Sequence, residues 1–314
     1  MKRLFSVLMI ITMLAGLFNG QIQAVSATPG ASLNDISNHW AREVIEKYIE
    51  KGYVEVNTDG AFRPDEAITR AEFVKLANKF FLIPDSEVEN SFSDVSSTDW
   101  FYTDVIKASA DGFIRGYADN TFKPNNLITR QETCMVLYRL LVMPPIWDDS
   151  MMREFSDVST IATWSKNSVA SMIVEGILNG YADKTIRPNA SLTRAEALCL
   201  MDRALEATTP VIDYPDEVYL TSGFPNAPDV FKPQVSSKAK GELSFMWELS
   251  EESCNSEIIN GNTNATLEIT GRIVEGEFQV FLTVTNTYGI SASKTINVVT
   301  SYPIFGGMPD LPED

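Results

Sequence analysis

The 314-residue chain is long enough for two or three domains with real cores, and 44% of it is hydrophobic. Its formal charge of −17 disfavours nucleic acid as a partner, because a phosphate backbone has to be met by clustered Lys and Arg. Three cysteines cannot all pair, and Cys134, Cys199 and Cys254 lack metal-ligand spacing, so neither a disulfide framework nor a metal centre is expected.

Residues 1–24 read as a secretory signal. Lys2 and Arg3 form the charged start, residues 4–18 the apolar run, and cleavage is expected after Ala24 or Ala27. The run is short for a bilayer span and polar residues follow at once, so cleavage is the better reading than a membrane anchor. Losing Lys2 and Arg3, with no acid removed, takes the charge to −19. No second apolar segment follows, and residues 308–314 carry no sortase-type signal. No membrane span is therefore expected in the mature form, and a protein kept on the cell would be held there by binding.

The next 175 residues or so contain one unit three times. The clearest rows are Ile68-Thr69-Arg70-Ala71-Glu72, Ile128-Thr129-Arg130-Gln131-Glu132 and Leu192-Thr193-Arg194-Ala195-Glu196. Thirty residues before each Arg stands a Trp (Trp40, Trp100, Trp164), and six before it a Pro (Pro64, Pro124, Pro188). Each unit predicts helix, turn-rich loop, helix. Trp40, Val44, Ile45, Tyr48 and Ile49 sit at helical spacing before the stop at Gly52, with equivalent stops at Gly112 and Gly176. The loops 116–124 and 180–188 are Gly/Asp/Asn/Pro turn chemistry.

The second helix opens on a capping box, Thr69/Glu72, Thr129/Glu132 and Thr193/Glu196. The positions four, seven and eleven after each Arg (Val74, Ala77, Phe81; Cys134, Leu137, Leu141; Leu198, Met201, Leu205) predict a core stripe, in which Cys134 packs and does no chemistry. Capping suffices to explain the Thr and the Glu. The Arg, at the first helical position, faces the positive end of the helix dipole at a cost of roughly 0.3–1 kcal/mol. Either an ion pair with an aspartate such as Asp94 or Asp157, or an anionic ligand held by the guanidinium, would compensate. A Trp near a helix start serves as core or lid, or stacks on a sugar face; position alone does not choose.

These repeats resemble S-layer homology domains, in the Thr-Arg-Ala-Glu helix start, the Phe-Ser-Asp-Val lead-in, the Trp and the Gly-Tyr-Ala-Asp loop with its Pro. The resemblance covers about residues 33–207. It implies a mostly helical, three-pronged module whose inter-prong grooves bind peptidoglycan-linked secondary cell-wall polysaccharide, often with pyruvylated sugars. By that resemblance Arg70, Arg130 and Arg194 read the acidic group, and Trp40, Trp100, Trp164, Asp94, Asp157, Gly116 and Gly180 line the grooves. A strongly acidic chain needs such a pre-shaped pocket, since its overall field repels an acidic polymer. The first unit departs from the pattern: Val56-Asn57 replaces Gly-Tyr, and Leu33 replaces the Phe before Asp35. Val offers neither the close backbone approach nor the positive φ that Gly permits, so the groove built on this loop is expected to bind weakly or not at all.

After Ala207 the helical pattern stops. Residues 208–217 read as a Pro-containing linker, residues 218–300 as a β-sandwich, and 301–314 as an acidic Pro/Gly tail. Leu243, Phe245, Trp247 and Leu249 alternate with polar neighbours, as do Phe278, Val280, Leu282 and Val284. Asn286-Thr287-Tyr288-Gly289 predicts a turn, and Ile296 and Val298 a last strand. Residues 280–299 resemble the end of bacterial immunoglobulin-like surface modules, in which Trp247 would be the core Trp. The expected class is thus an α + β multidomain chain, with repeats at 33–85, 90–145 and 153–207 followed by the sandwich.

No motif for catalysis stands out. His39, the only histidine, adjoins Trp40 and reads as satisfied or exposed; there is no Gly-x-Ser-x-Gly elbow, His-Glu-x-x-His or phosphate loop. The loop 57–60 lacks the ligand spacing of a calcium site. A non-enzymatic, cofactor-free wall anchor at the cell surface is the primary expectation, with further surface proteins as partners of the β-domain. A surface-array subunit or adhesin is the alternative, and a wall-modifying hydrolase a third reading.

Overall fold

The computed structural model describes residues 33–86, 88–146, 150–221, 229–250, 257–258, 260–270 and 276–301. The expected signal segment, Cys254 and nearly all of the tail lie outside them.

Among the described residues six α-helices fill the repeats, two in each: α1 Arg42–Glu50 and α2 Arg70–Phe80, α3 Tyr102–Asp111 and α4 Arg130–Leu140, α5 Lys166–Val174 and α6 Arg194–Glu206. The second helix of each pair starts where the sequence marks it. Thr69, Thr129 and Thr193 are extended N-caps, each in a complete capping box. All nine residues of the expected stripe are buried in a single core shared by the three repeats. Gly112 ends α3 at φ 87°, which a residue with a Cβ adopts only with strain. One expectation fails on the first helices: Trp40 precedes α1 and is 64% exposed, so the buried face is made by Ala41, Ile45 and Tyr48 instead.

The repeats close into a ring. Ile68 N–H donates to the Leu192 carbonyl, Leu192 N–H to Ile128, and Ile128 N–H to Ile68, at 2.9, 3.0 and 3.2 Å. The first two amides of each second helix donate to the loop of another repeat: Arg70 and Ala71 to Asn126 and Pro124, Arg130 and Gln131 to Ala190 and Pro188, Arg194 and Ala195 to Glu66 and Pro64. Each repeat thus supplies the acceptors that another repeat's helix terminus lacks, and no repeat is satisfied alone.

Among its described residues the C-terminal part has nine strands: β1 Val211–Asp213, β2 Glu217–Thr221, β3 Asp229–Phe231, β4 Gln234–Ser236, β5 Ser244–Leu249, β6 Glu257–Ile258, β7 Leu267–Thr270, β8 Gly276–Thr285 and β9 Ser291–Ser301. A four-stranded sheet in the order β2-β9-β8-β5, parallel only between β2 and β9, packs on a three-stranded antiparallel sheet β3-β7-β6. Trp247, Phe278, Val280, Leu282, Val284, Ile296 and Val298 from the first sheet meet Phe231, Leu267 and Ile269 from the second, the two-layer arrangement of a β-sandwich. The Trp247 indole N–H donates to the Asn264 carbonyl at 2.8 Å. The stretch read as linker is partly structured: β1 lies within it, paired with β4, and Thr208 is buried.

The sandwich is seated on the helical module through the turn after β8. Tyr288 joins the helical core, edge-on to Phe81 at 5.1 Å, and the Asn286 amide donates to the Thr208 carbonyl at 2.8 Å. Ion pairs Lys240–Asp111, at 2.6 Å, and Lys238–Glu175 flank the contact.

Candidate ligand-binding grooves

Three grooves run between the repeats, and each is built from all three. The first, of about 270 Å³, takes Arg70 from repeat one, Gly116, Tyr117 and Glu132 from repeat two and Trp164 from repeat three. The second, about 350 Å³, takes Arg130, then Gly180, Tyr181 and Glu196, then Trp40. The third, about 320 Å³, takes Arg194, then Val56, Asn57 and Glu72, then Trp100. The structure therefore brings together eight of the ten residues singled out in the sequence, each Arg meeting a loop and a Trp from the other two repeats. The tryptophans are 64, 59 and 54% exposed, which rules out the core reading.

Asp94 and Asp157 behave differently from expectation. Neither lines a groove nor pairs with a groove arginine. The Asp94 carboxylate accepts the N–H groups of Phe122 and Lys123 at 2.7 and 2.8 Å, and Asp157 those of Ile186 and Arg187 at 2.8 and 2.7 Å. Lys123 and Arg187 hold positive φ without being glycine, and the aspartate braces that bend. Asp35 does the same for Phe62 and Arg63 in the first repeat.

The carboxylate that meets the arginine is the capping-box glutamate of the next repeat. Arg70 Nη1 lies 3.3 Å from Glu132 Oε1, and Arg130 Nη1 3.3 Å from Glu196 Oε1. The Nε–H groups donate to the Phe122 and Ile186 carbonyls at 2.9 and 2.8 Å. Tyr117 and Tyr181 lie under the guanidinium planes, 4.8 and 4.7 Å from ring centroid to Cζ, and their hydroxyls donate to the same Glu oxygen at 2.7 and 2.6 Å. Burial alone would raise the Glu132 carboxyl. Hydrogen bonds from the Thr129 backbone, the Tyr117 hydroxyl and the Thr129 hydroxyl, with the Arg70 charge, outweigh it and hold the group below the ordinary glutamate value. Burial, followed by the bond to Glu132, pushes the Tyr117 hydroxyl up to about 12. These two glutamates thus cap a helix and lock an arginine at once, a second role that capping had concealed. Tyr117 and Tyr181 escaped the reading as groove residues, although each stands fifteen residues before its Glu partner.

The Arg194 groove lacks this lock. Asn57 stands where the sisters have Tyr, and Arg194 Nε–H donates to Phe62 O at 3.0 Å with no carboxylate partner among the described residues. The loop nevertheless keeps its backbone bonds, Asn57 N–H to Ala61 O at 2.9 Å and Gly60 N–H to Asn57 O at 2.8 Å. The reason for Gly in the sisters is also not positive φ. A Cβ on Gly116 would sit 2.6 Å from Phe92 Cε1, and on Gly180 2.1 Å from Phe155 Cε1. Leu33 stands at the position of those rings in repeat one, so Val56 and Leu33 are a matched pair rather than two separate defects.

His39 is structural: its ring accepts from Ala41 N–H at 3.1 Å and meets Asp65 at 3.3 Å. Cys134 is fully buried, and burial pushes its thiol up to about 12, so it packs and does not react. Among the described residues no cluster of His, Cys, Asp or Glu is fit to hold a metal, and no helix is long and apolar enough to cross a membrane.

The model of the S-layer homology domain matches at residues 32–74, 91–134 and 154–198. Among curated proteins, an amylopullulanase of Thermoanaerobacterium thermosulfurigenes is 34% identical over 56% of this chain and 10% of its own length. A cellulosome-anchoring protein of Acetivibrio thermocellus is 30% identical over 50% of this chain and 35% of its own length. A surface-layer 125 kDa protein of Lysinibacillus sphaericus is 26% identical over 60% of this chain and 16% of its own length. The chain thus spans only about a tenth to a third of these relatives, and the likeness to the amylopullulanase covers little beyond the repeats. The helical module of this chain is thus made of three tandem S-layer homology domains.

Proposed function

We propose that this chain is a non-covalent anchor, holding a secreted protein to the bacterial cell wall by gripping an anionic secondary cell-wall polysaccharide in the grooves between its repeats. One observation carries the reading. Three indoles are left more than half exposed at equivalent places, each in a groove with a guanidinium fixed by another repeat. An exposed aromatic face suits the apolar face of a pyranose, and a preorganised fork suits an acidic substituent. The backbone amides at the helix starts are already occupied by loop carbonyls, which leaves recognition of the anion to side chains. The names of the cellulosome-anchoring and surface-layer relatives support the reading. The acidic group is assigned as a pyruvate ketal, and the sandwich as the part displayed to other surface proteins.

Arg70 and Arg130 are the principal ligand-reading arginines, and Arg194, with Asn57 in place of Tyr, contributes least. Catalysis has no part in this function. The deciding experiment is co-sedimentation of the secreted form with wall sacculi, before and after the secondary polymer is stripped. Loss of pelleting on stripping is expected; equal pelleting overturns the reading. Assembly of the pure protein into sheets would favour the array reading, and clearing in a peptidoglycan zymogram the hydrolase. Equal damage from Arg70→Ala, Arg130→Ala and Arg194→Ala would refute the asymmetry.

A further inference from the structure

The three grooves differ in charge in a way the repeat pattern does not impose. The Arg70 groove carries two further arginines, Arg115 and Arg139, against the single carboxylate of Glu132. At the position of Arg115 the Arg130 groove has Asn179, whose carbonyl accepts from Arg130 Nη2 at 3.0 Å, and the Arg194 groove has Glu55. At the position of Arg139 stand Arg203, which donates to the Ile177 carbonyl at 3.3 Å, and Lys79. Only the Arg70 groove therefore has two such cations side by side.

Arg70 is already provided for: it is 6% exposed, bonded to Phe122 O and Glu132 and stacked on Tyr117. Neither the Arg115 nor the Arg139 side chain has a hydrogen-bond or carboxylate partner among the described residues. Arg139 is half-buried, and burial first, then the charge of Arg115, lowers its pKa, the mark of two like charges held together. In a chain of net charge −17 with acids to spare, an unneutralised arginine pair inside a groove is an electrostatic cost that a bound anion would remove.

We propose that Arg115 and Arg139 form a second anion subsite in the Arg70 groove, which takes a second acidic group of the bound polysaccharide, a carboxylate or a phosphate. This rests on the grooves being carbohydrate sites. It makes the Arg70 groove the one that selects a doubly charged stretch of polymer, while the Arg130 groove reads a single charge.

The test titrates the full secreted chain with polysaccharide released by muramidase from purified bacterial wall sacculi, at low and high salt. The double variant R115Q/R139Q is expected to bind about ten-fold more weakly than the parent at low ionic strength, with the gap closing at about 0.5 M salt. The charge-matched control K51Q/K232Q, on exposed positions away from the grooves, is expected to bind like the parent. Arg115 is exposed, so the single reversal R115E keeps the fold and should weaken binding further. Polymer with reduced carboxyls, or with phosphodiesters cleaved by hydrofluoric acid, identifies the group: the treatment that erases the gap between parent and variant names it. Equal binding by the parent and R115Q/R139Q, an equal loss in the control, or a gap that survives both treatments overturns the proposal. Failure of the parent itself to bind untreated polymer would sink the polysaccharide reading instead.

Discussion

Substituting alanine at Gly116 and at Gly180 separates two kinds of close approach. At Gly180 the three atoms nearest the added Cβ would all belong to the Phe155 ring, at 2.1, 2.9 and 3.1 Å. At Gly116 it would meet Phe92 at 2.6 and 2.9 Å and also the Thr121 carbonyl oxygen at 2.7 Å. That carbonyl is pinned by the Tyr117 N–H at 2.8 Å, and Phe92 is buried against Phe122 at 5.7 Å between centroids. Overpacking of this kind costs about 1–3 kcal/mol. Phe155 is only half-buried and can turn outward, so Gly180→Ala belongs at the low end and Gly116→Ala at the high end. For a module of this size about 2 kcal/mol lowers the Tm by about 4–8 °C. Repeat one supplies the remedy, since Leu33 accompanies Val56 there. Phe155→Leu added to Gly180→Ala should recover most of the loss, a favourable coupling of about 1 kcal/mol in a double-mutant cycle. Phe92→Leu added to Gly116→Ala should recover little, because the carbonyl contact remains. Denaturant melts of the four single and two double variants measure this. Additive losses for the Gly180 pair, or full rescue of the Gly116 pair, would refute the steric account.

Arg130→Lys should destabilise by about 1–3 kcal/mol in urea melts, because one ammonium cannot reach Ile186 O, Asn179 O and Glu196 together. Arg194→Lys, which gives up a single bond, should cost less than about 1 kcal/mol, and equal losses would contradict the lock described above. Acid provides a third check. The Glu132 carboxyl is held below its ordinary value in the folded state, so its stabilisation is fully present above that ordinary value and is lost as pH falls through the folded one. Glu132→Gln should flatten the decline in Tm on the acid side of the glutamate range, and an unchanged acid limb would show that the group is not perturbed. Finally, Asn286→Ala removes the bonds to Thr208 at 2.8 and 3.1 Å and takes the side-chain acceptor from the Tyr288 and Ile290 N–H groups, while Ser237 still donates to the Thr208 carbonyl, a loss of about 1–3 kcal/mol at the junction of the two parts. Faster proteolysis of residues 207–217 is the expected result, and unchanged cleavage would show that Tyr288 and the ion pairs hold the sandwich alone.

The helices were legible because their signals are local. A Thr that caps and a Glu that reaches back lie three residues apart, and the stripe after Arg70, Arg130 or Arg194 is a helical period; neither depends on distant parts of the chain. The strands at 244–249 and 276–285 were legible for the same reason, through alternation. Trp40 shows the limit of periodicity: it fits the helical spacing of Ile45 and Tyr48, yet the helix begins after it and the indole faces a groove.

What the sequence by itself determined is the unit: three copies, their helix starts, and the arginine that no cap explains. Only the tertiary structure decided which arginine meets which tryptophan, that Glu132 and Glu196 rather than Asp94 and Asp157 are the arginines' partners, and that the sandwich meets the helical module through Tyr288 on Phe81 and Asn286 on Thr208. The physical reason is closure. Each helix start borrows its hydrogen-bond acceptors from the loop of another repeat, so every groove is assembled from residues thirty to more than a hundred positions apart, and no window of the chain contains one.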